Sequence, residues 1–301
     1  MHNRFIEIMV YIHFIVNPIS GNGNHNIGKT ELEKYFSKEK FKIEVDYSNH
    51  KKHAITLTKK AIENNPNCIV ACGGDGTINE VASCLINTKI KLGIIPVGSG
   101  NGLASNLHIP KEIKKATEII RNGNSQTIDV GQVNEHYFFS NMGIGIDAHI
   151  IKKYETYKKR TLIAYIKASV TSSFQFKPIQ TVLAFNNQII NTNSFLLFIS
   201  NSNEMGYGMS LTPKASLQDG WLDLVVVSKL NFINKLILGM YVLSNKVEKF
   251  KNAQHSLIQK MSIKIPNKIN TDIQIDGEYY NIKTNKIDVS IIKNGLEIIM
   301  Q

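Results

Sequence analysis

Three cysteines, one tryptophan and seven prolines are all that this 301-residue chain carries of three residue types that cross-link, fill or break structure. Cys68, Cys72 and Cys84 are odd in number, crowd into one segment and lack companion histidines at zinc spacing. That excludes a disulfide framework and a structural zinc, and they read as small core residues in a reducing compartment. Acidic residues are scarce too, 24 against 35 Lys and Arg, which leaves a net charge of +11. An anionic partner is therefore expected: nucleotide, nucleic acid or an acidic membrane face. No helix-turn-helix, zinc or RNP signature accompanies the charge, so no nucleic-acid partner is expected. No uninterrupted apolar run reaches the roughly 20 residues of a spanning helix. The stretch from Ile6 to Val16 carries Glu7 and His13 and runs into Asn17-Pro18 without a small-residue cleavage site, so it reads as a first strand and not as a leader. The expected location is cytoplasmic, with any contact at the inner membrane face peripheral.

At roughly 150 residues per domain the length suggests two domains, and a 43% hydrophobic content supplies their cores. Up to about residue 125, apolar strand-like runs (11–16, 41–47, 68–72, 92–96) alternate with segments of helical spacing (31–36, 53–63, 78–86, 112–120). Such alternation predicts βαβ units on a parallel sheet. Beyond Arg121-Asn-Gly-Asn-Ser125 β-rich runs dominate, interrupted by helical stretches at 148–174 and 231–250. The expected domains are 1–125, α/β, and 126–301, β-rich, with the last residues able to pack back on the first domain.

Three glycine-rich loops follow strands of the first domain: Asn17-Pro18-Ile19-Ser20-Gly21-Asn22-Gly23, Gly73-Gly74-Asp75-Gly76-Thr77 and Gly98-Ser99-Gly100-Asn101-Gly102. Loops at the carboxyl ends of parallel strands converge on the ligand crevice of an open sheet. Glycine lets backbone N–H groups approach a polyphosphate, and a helix starting at Thr77 turns its positive end toward the anion. Taken singly, each loop is also what a tight strand-to-helix turn requires. Asp75 is a carboxylate among phosphate-binding amides, where it repels the ligand unless it holds a metal; this suggests Mg²⁺-nucleotide chemistry, with a helix N-cap as the plain alternative. Asn79 and Glu80 lie within the same first turn, where Glu80 is also a favourable helix-dipole charge. Gly23-Asn-His-Asn-Ile-Gly28-Lys29-Thr30 spells a P-loop signature. Its first glycine, however, stands six residues past the strand with Pro18 between, and no later strand offers a metal-binding acid, so a polar loop entering a helix is favoured.

In chain order, N-P-x-S-G-x-G at 17–23, G-G-D-G-T-x-N-E at 73–80, G-S-x-N at 98–101, D-G-x-L-D at 219–223 and D-G-E at 276–278 together resemble the diacylglycerol kinase catalytic-domain family of lipid kinases, particularly its soluble bacterial members. The resemblance runs from about residue 12 to about 280. It implies an α/β fold class: an N-terminal three-layer α/β/α nucleotide-binding domain of the NAD kinase and phosphofructokinase kind, and a C-terminal β-sandwich-like domain that receives lipid, with catalysis in the cleft between them. It implies ATP and Mg²⁺ as cofactors, with nucleotide contacts at Asn17, Pro18, Ser20, Gly21, Ser48, Gly73, Gly74, Asp75, Gly76, Thr77, Asn79, Glu80, Ser99 and Asn101. The general base would come from Asp276 or Glu278, with Asp75 linked to it through metal and water. A structural metal would fall on the backbone of Ser216 and Trp221 and the side chain of Asp219. Asp147 would reach the lipid head group, or else cap the helix it begins. Asp-Gly between apolar runs is by itself a hairpin signal, compatible with a catalytic role for the same segment. One departure is Gly102, where many bacterial diacylglycerol kinases carry Asp; Gly98-Ser-Gly-Asn-Gly-Leu-Ala104 is closer to the sphingosine kinase loop, which puts the lipid's identity in play.

Residues 149–177 hold Lys152, Lys153, Lys158, Lys159, Arg160, Lys167 and Lys177 against Glu155 alone, interleaved with Ile150, Ile151, Tyr154, Tyr157, Leu162 and Tyr165. A kinase whose substrate lies in a bilayer needs such an anchor, each charge near an anionic leaflet contributing about 1 kcal/mol; a solvated helix face is the alternative. The sequence thus points to an ATP-dependent lipid kinase acting at a membrane surface on diacylglycerol or a long-chain base. An NAD-kinase-like nucleotide kinase and a non-catalytic nucleotide- or membrane-binding module are the competing readings.

Overall fold

A computed structural model describes residues 9–21, 23, 25, 27–157, 161–266 and 268–301. The chain forms two compact units, one of residues 1–127 with 295–301, the other of residues 128–294. In the first unit the elements alternate: β1 (Val10–Val16), α1 (Lys29–Leu32), β2 (Phe41–Tyr47), α2 (His53–Glu63), β3 (Cys68–Gly73), α3 (Asp75–Leu85), β4 (Lys91–Pro96), α4 (Gly102–Asn106) and α5 (Ile113–Asn122). β3, β4, β1 and β2 pair in parallel, in the order β4-β3-β1-β2. Every residue of β3 is buried, as expected of a parallel strand covered on both faces, and this accounts for the unbroken run Cys-Ile-Val-Ala-Cys. Burial pushes the thiols of Cys68 and Cys72 well above their usual range, so they are inert core residues. β1 has β2 on one side and β3 on the other, so the chain leaves β1 and β3 in opposite directions. That is a topological switch point, where open α/β sheets bind ligands.

The second unit is β-rich. Its elements are β5 (Ser125–Val133, entered from the first unit), β6 (His136–Phe138), β7 (Asn141–Gly145), α6 (Ile146–Tyr154), α7 (Leu162–Gln175), β8 (Ile179–Phe185), β9 (Gln188–Ser200), β10 (Leu222–Ser228), α8 (Phe232–Leu243), β11 (Ala253–Ile258), β12 (Lys260–Lys264), β13 (Thr271–Ile275), β14 (Glu278–Ile282) and β15 (Lys286–Ile299, whose last residues belong to the first unit). The single helical stretch expected at 148–174 is two helices, with Thr161 capping α7 by accepting Ala164 N–H. β9 pairs with β8 through its first half and β7 through its second, while β10 lines its other edge. The run Leu222-Asp-Leu-Val-Val-Val227 shows why β10 is apolar throughout: Leu222, Leu224 and Val226 enter the sandwich core, while Val225 and Val227 enter a second core beneath the helices. Period two delivers alternate residues to opposite faces, and here both faces are covered.

Asp129 is buried, and its two carboxylate oxygens accept Gly220 N–H (2.7 Å) and Asn294 N–H (2.8 Å). Asp129→Ala orphans both donors and should lower the urea-unfolding free energy by about 2–5 kcal/mol. A loss under about 1 kcal/mol would show that water replaces the carboxylate.

Candidate active site

In the first unit the three glycine loops interlock. Asn17 N–H donates to the Cys72 carbonyl at the end of β3, Asn17 Nδ2 to Thr77 Oγ1 (3.1 Å) and Gly74 N–H to Ser20 Oγ (3.0 Å). Asn101, left-handed at φ 59° and buried, closes its own loop by accepting Gly98 N–H and donating to the Gly98 carbonyl. Asp75 joins the second loop to the third: Oδ2 accepts Asn101 N–H (2.8 Å) and Oδ1 accepts Gly102 N–H (2.7 Å). Asp75 therefore caps α4 and not α3, whose N-cap is Gly74. Glycine is needed because the loops touch: a Cβ on Gly98 would lie 2.4 Å from Gly74 Cα, and one on Gly73 would lie 2.4 Å from Thr77 Cβ.

The other expected nucleotide residues are tied in nearby. Ser48 is buried after β2 and its N–H donates to the Val16 carbonyl. Glu80 accepts Lys52 N–H (2.8 Å) ahead of α2, and Asn79 accepts Ser83 Oγ. Pro18 and Ser99 are exposed, Gly21 turns at φ 64°, and Asn22 of the same loop lies outside the described residues. Lys29 borders a separate hollow with His13, Glu44 and Asp46.

In the second unit Asp276 and Gly277 form a two-residue hairpin turn between β13 and β14, both at positive φ (46° and 79°), with Ile275 paired to Glu278. This is the geometry for which Asp-Gly is suited. The Asp276 carboxylate also reaches across the sheet, accepting Phe139 N–H (2.9 Å), Ser140 N–H (2.8 Å) and Asn141 N–H (3.0 Å). Glu278, at the first position of β14, is half-buried. Asp147 is buried in the first turn of α6, above Gly143, where a Cβ would lie 1.9 Å from its Oδ2. Burial pushes the Asp147 carboxyl up to about 6, against the opposing effect of the Gln274 amide, which donates to it at 2.8 Å. The same Gln274 Nε2 donates to Asn141 Oδ1, and Gln274 Oε1 accepts Gly277 N–H. One amide thus connects Asp147, the Asp276 hairpin and the segment that Asp276 holds. Sequence reading missed Gln274, Asn141 and Asp129; the only trace of Gln274 was a polar residue between isoleucines on a strand.

Around the expected structural metal, Asp219 Oδ1 accepts Trp221 N–H (3.0 Å), and Ser216 Oγ accepts Gln218 N–H. Burial, and then the charge of Asp219, push Asp223 up to about 6. In the basic stretch Lys152 pairs with Asp272 (3.2 Å) and stands over the Tyr279 ring, and Lys153 donates to Gln175. Ile150, Ile151 and Tyr154 are buried, so α6 turns its apolar side inward. Lys158, Lys159 and Arg160 lie outside the described residues. No helix among the described residues is long and apolar enough to cross a membrane.

Residues 11–133 match the family described as the diacylglycerol kinase catalytic domain, and residues 140–285 match the YegS C-terminal NAD kinase beta sandwich-like domain. Curated diacylglycerol kinases of Staphylococcus aureus, strains JH9 and Newman, are 30% identical over 275 residues, 88% of this chain and 85% of theirs. The fold is shared with two solved Bacillus anthracis str. Sterne proteins described as diacylglycerol kinases. One has a TM-score of 0.80 at 19% identity, covering 100% of this chain and 98% of that one; the other has 0.70 at 17%, covering 97% of each. The chain belongs to the diacylglycerol kinase family. It is a lipid kinase, a phosphotransferase that uses ATP and an alcohol acceptor.

Two variants test the second unit. The Asp147 carboxyl, raised from 3.8 to about 6 in the fold, binds its proton more tightly folded than unfolded, so its cost is absent below about pH 4 and grows as pH rises through 6. Asp147→Asn should therefore be more stable than the parent at pH 7, by up to about 3 kcal/mol, with the gain vanishing toward pH 4; a gain independent of pH would contradict this. Asp276→Asn turns an NH₂ against backbone donors and should lower the unfolding free energy by about 1–3 kcal/mol. Equal melts for parent and Asp276→Asn would mean that the carboxylate is not the clamp.

Proposed function

We propose that this kinase transfers the γ-phosphate of ATP to the free hydroxyl of diacylglycerol at the inner membrane face of the cytoplasm. The observation that carries the choice of acceptor is the 30% identity with curated diacylglycerol kinases over 85% of their length. In this reading the loops at 17–21, 73–77 and 98–101 cradle the phosphates. The first-turn N–H groups of α3, which no helix can satisfy internally, face the anion there. Asn17, Ser20 and Asn101 hold the loops in register, so positioning costs little at the moment of reaction.

Mg²⁺ suits this donor chemistry, because it is commonly bound by one or two carboxylates with substrate phosphates completing its shell, and Asp75 is the carboxylate at the loops. When bound, Mg²⁺ supplies charge neutralisation on the β- and γ-phosphate oxygens. Asp276 accepts the proton of the lipid hydroxyl, with Glu278 as the second candidate; three backbone donors fix the direction in which Asp276 presents its oxygens. Asp147, held by Gln274, contributes to the head-group pocket. A second, structural cation fits the oxygen-only set of Asp219 with the backbone of Ser216 and Trp221.

A long-chain base is the second reading of the acceptor. Gly102, which donates its N–H to Asp75 and adds no side chain of its own, favours it. Labelled ATP offered with diacylglycerol, a sphingoid base and NAD separates the readings. Label is expected in diacylglycerol, only with Mg²⁺ present, and Asp75→Asn should raise the Mg²⁺ concentration needed. Label in the sphingoid base alone would move the acceptor, and label in NAD would overturn the lipid reading.

A further inference from the structure

Helices α7 and α8 are apolar on both sides: Tyr165 of α7 and Ile237, Tyr241 and Val242 of α8 pack against the core beneath them. Along α7 the fully buried residues are small, Ala168 and Ser172. Ile163, Ile166, Val170 and Phe174, spaced i, i+3, i+7 and i+11 so that they share one side of the helix, are exposed by 40–79%. On α8 only Leu238 is fully buried, while Ile233, Leu236, Met240 and Leu243 are exposed by 53–70%. A helix packed on a globular core and facing water carries polar residues on its outer side instead. The two stripes meet: Phe174 and Phe232, both exposed, have ring centroids 5.4 Å apart. Lys235 locks the corner, its Nζ donating to the Ser173 carbonyl (2.7 Å) and standing 5.0 Å over the Phe195 ring. An exposed apolar surface of this extent marks an interaction site.

Charge identifies the occupant. Residues 161–177 and 229–247 hold five lysines and no acid. With Lys235 turned inward, Lys167, Lys177, Lys229 and Lys246 are exposed around the apolar stripes. A second copy of the chain laid face to face would set these lysines against one another. A partner that is apolar within and anionic at its surface suits both features, and an anionic bilayer is such a partner: its acyl boundary takes the apolar side chains and its phosphates take the lysines. We infer that the α7–α8 face docks on an anionic lipid bilayer, with Ile163 and Met240 at the depth of the acyl boundary. This rests on the lipid-kinase reading for its purpose, since the acceptor is in a bilayer, and on the helices' own geometry for its place. It moves the docking surface away from α6, whose apolar residues are buried.

The test uses the full chain and vesicles of phosphatidylcholine with phosphatidylglycerol. Ile163→Gln with Met240→Gln should weaken vesicle binding roughly tenfold or more. The circular dichroism, the melting temperature and turnover of a short-chain diacylglycerol dispersed as monomers should stay as in the parent. In a separate variant, Met240→Trp, emission should be quenched by vesicles with brominated acyl chains. Unchanged vesicle binding in the double variant, or no quenching in Met240→Trp, overturns the proposal. A parent dimer in sedimentation that the double variant abolishes overturns it too, by assigning the face to a second copy. If binding falls as expected while no lipid accepts phosphate, the docking surface stands and the acceptor reading fails. If dispersed diacylglycerol is phosphorylated while vesicle binding is indifferent to both variants, the reverse holds.

Discussion

The Asp75 carboxylate, spanning from the loop after β3 to the backbone of Asn101 and Gly102, is the contact on which the arrangement of the glycine loops in the first unit depends. Glycine-rich loops lie close together because they have no side chains, and for the same reason they have nothing of their own to hold them there. The surrounding polar side chains supply that hold. Ser20 accepts Gly74 N–H, Asn17 donates its Nδ2 to Thr77 Oγ1, Asn101 closes its own turn, and Asp75 joins the second loop to the third. The charged acceptor is the strongest of these, since hydrogen bonds to an ionised oxygen exceed those between neutral groups. Both oxygens of the Asp75 carboxylate are thus engaged in shaping the third loop.

The second unit repeats the device with different residues. Asp276 closes a hairpin through its backbone and, through its side chain, gathers three successive N–H groups of the 139–141 segment. Gln274 then connects that hairpin to the buried Asp147. Asp129 does comparable work for the Gly220 turn and for the entry to the last residues of β15. Polar groups inside a β-rich unit persist when each donor finds an acceptor, and these acids are the acceptors for backbone that the sheet ladder does not reach. The helical layer follows another rule. It covers the second face of the β7-β9-β10 sheet with Ile146, Ile150, Ile151 and Tyr154 of α6, Ala168 of α7 and Leu238 of α8, and leaves a further set of large apolar side chains of α7 and α8 outside.

What the sequence by itself determined was local and periodic. Alternation of apolar runs with helical spacing placed β1 to β4 and the helices between them, because burial on both faces leaves a signal in every residue of a strand such as β3. Asp-Gly marked the turn at 276–277, because only a few residue types tolerate positive φ twice in succession. The ordered glycine motifs carried the family. Tertiary structure alone decided where side chains without a periodic signature point. Asp75 reads from sequence as a metal ligand, with an N-cap of the following helix as the plain alternative, and its hold on Asn101, 26 residues on, emerges only in the fold. Gln274 is one polar position on a strand until folding sets Asn141 and Asp147, 133 and 127 residues away, against its amide. The basic stretch at 149–177 looked like one amphipathic anchor, yet α6 and α7 bury opposite kinds of residue. Hydrophobic pattern tells that a helix has an apolar side; which side meets the core depends on what the rest of the chain puts beneath it.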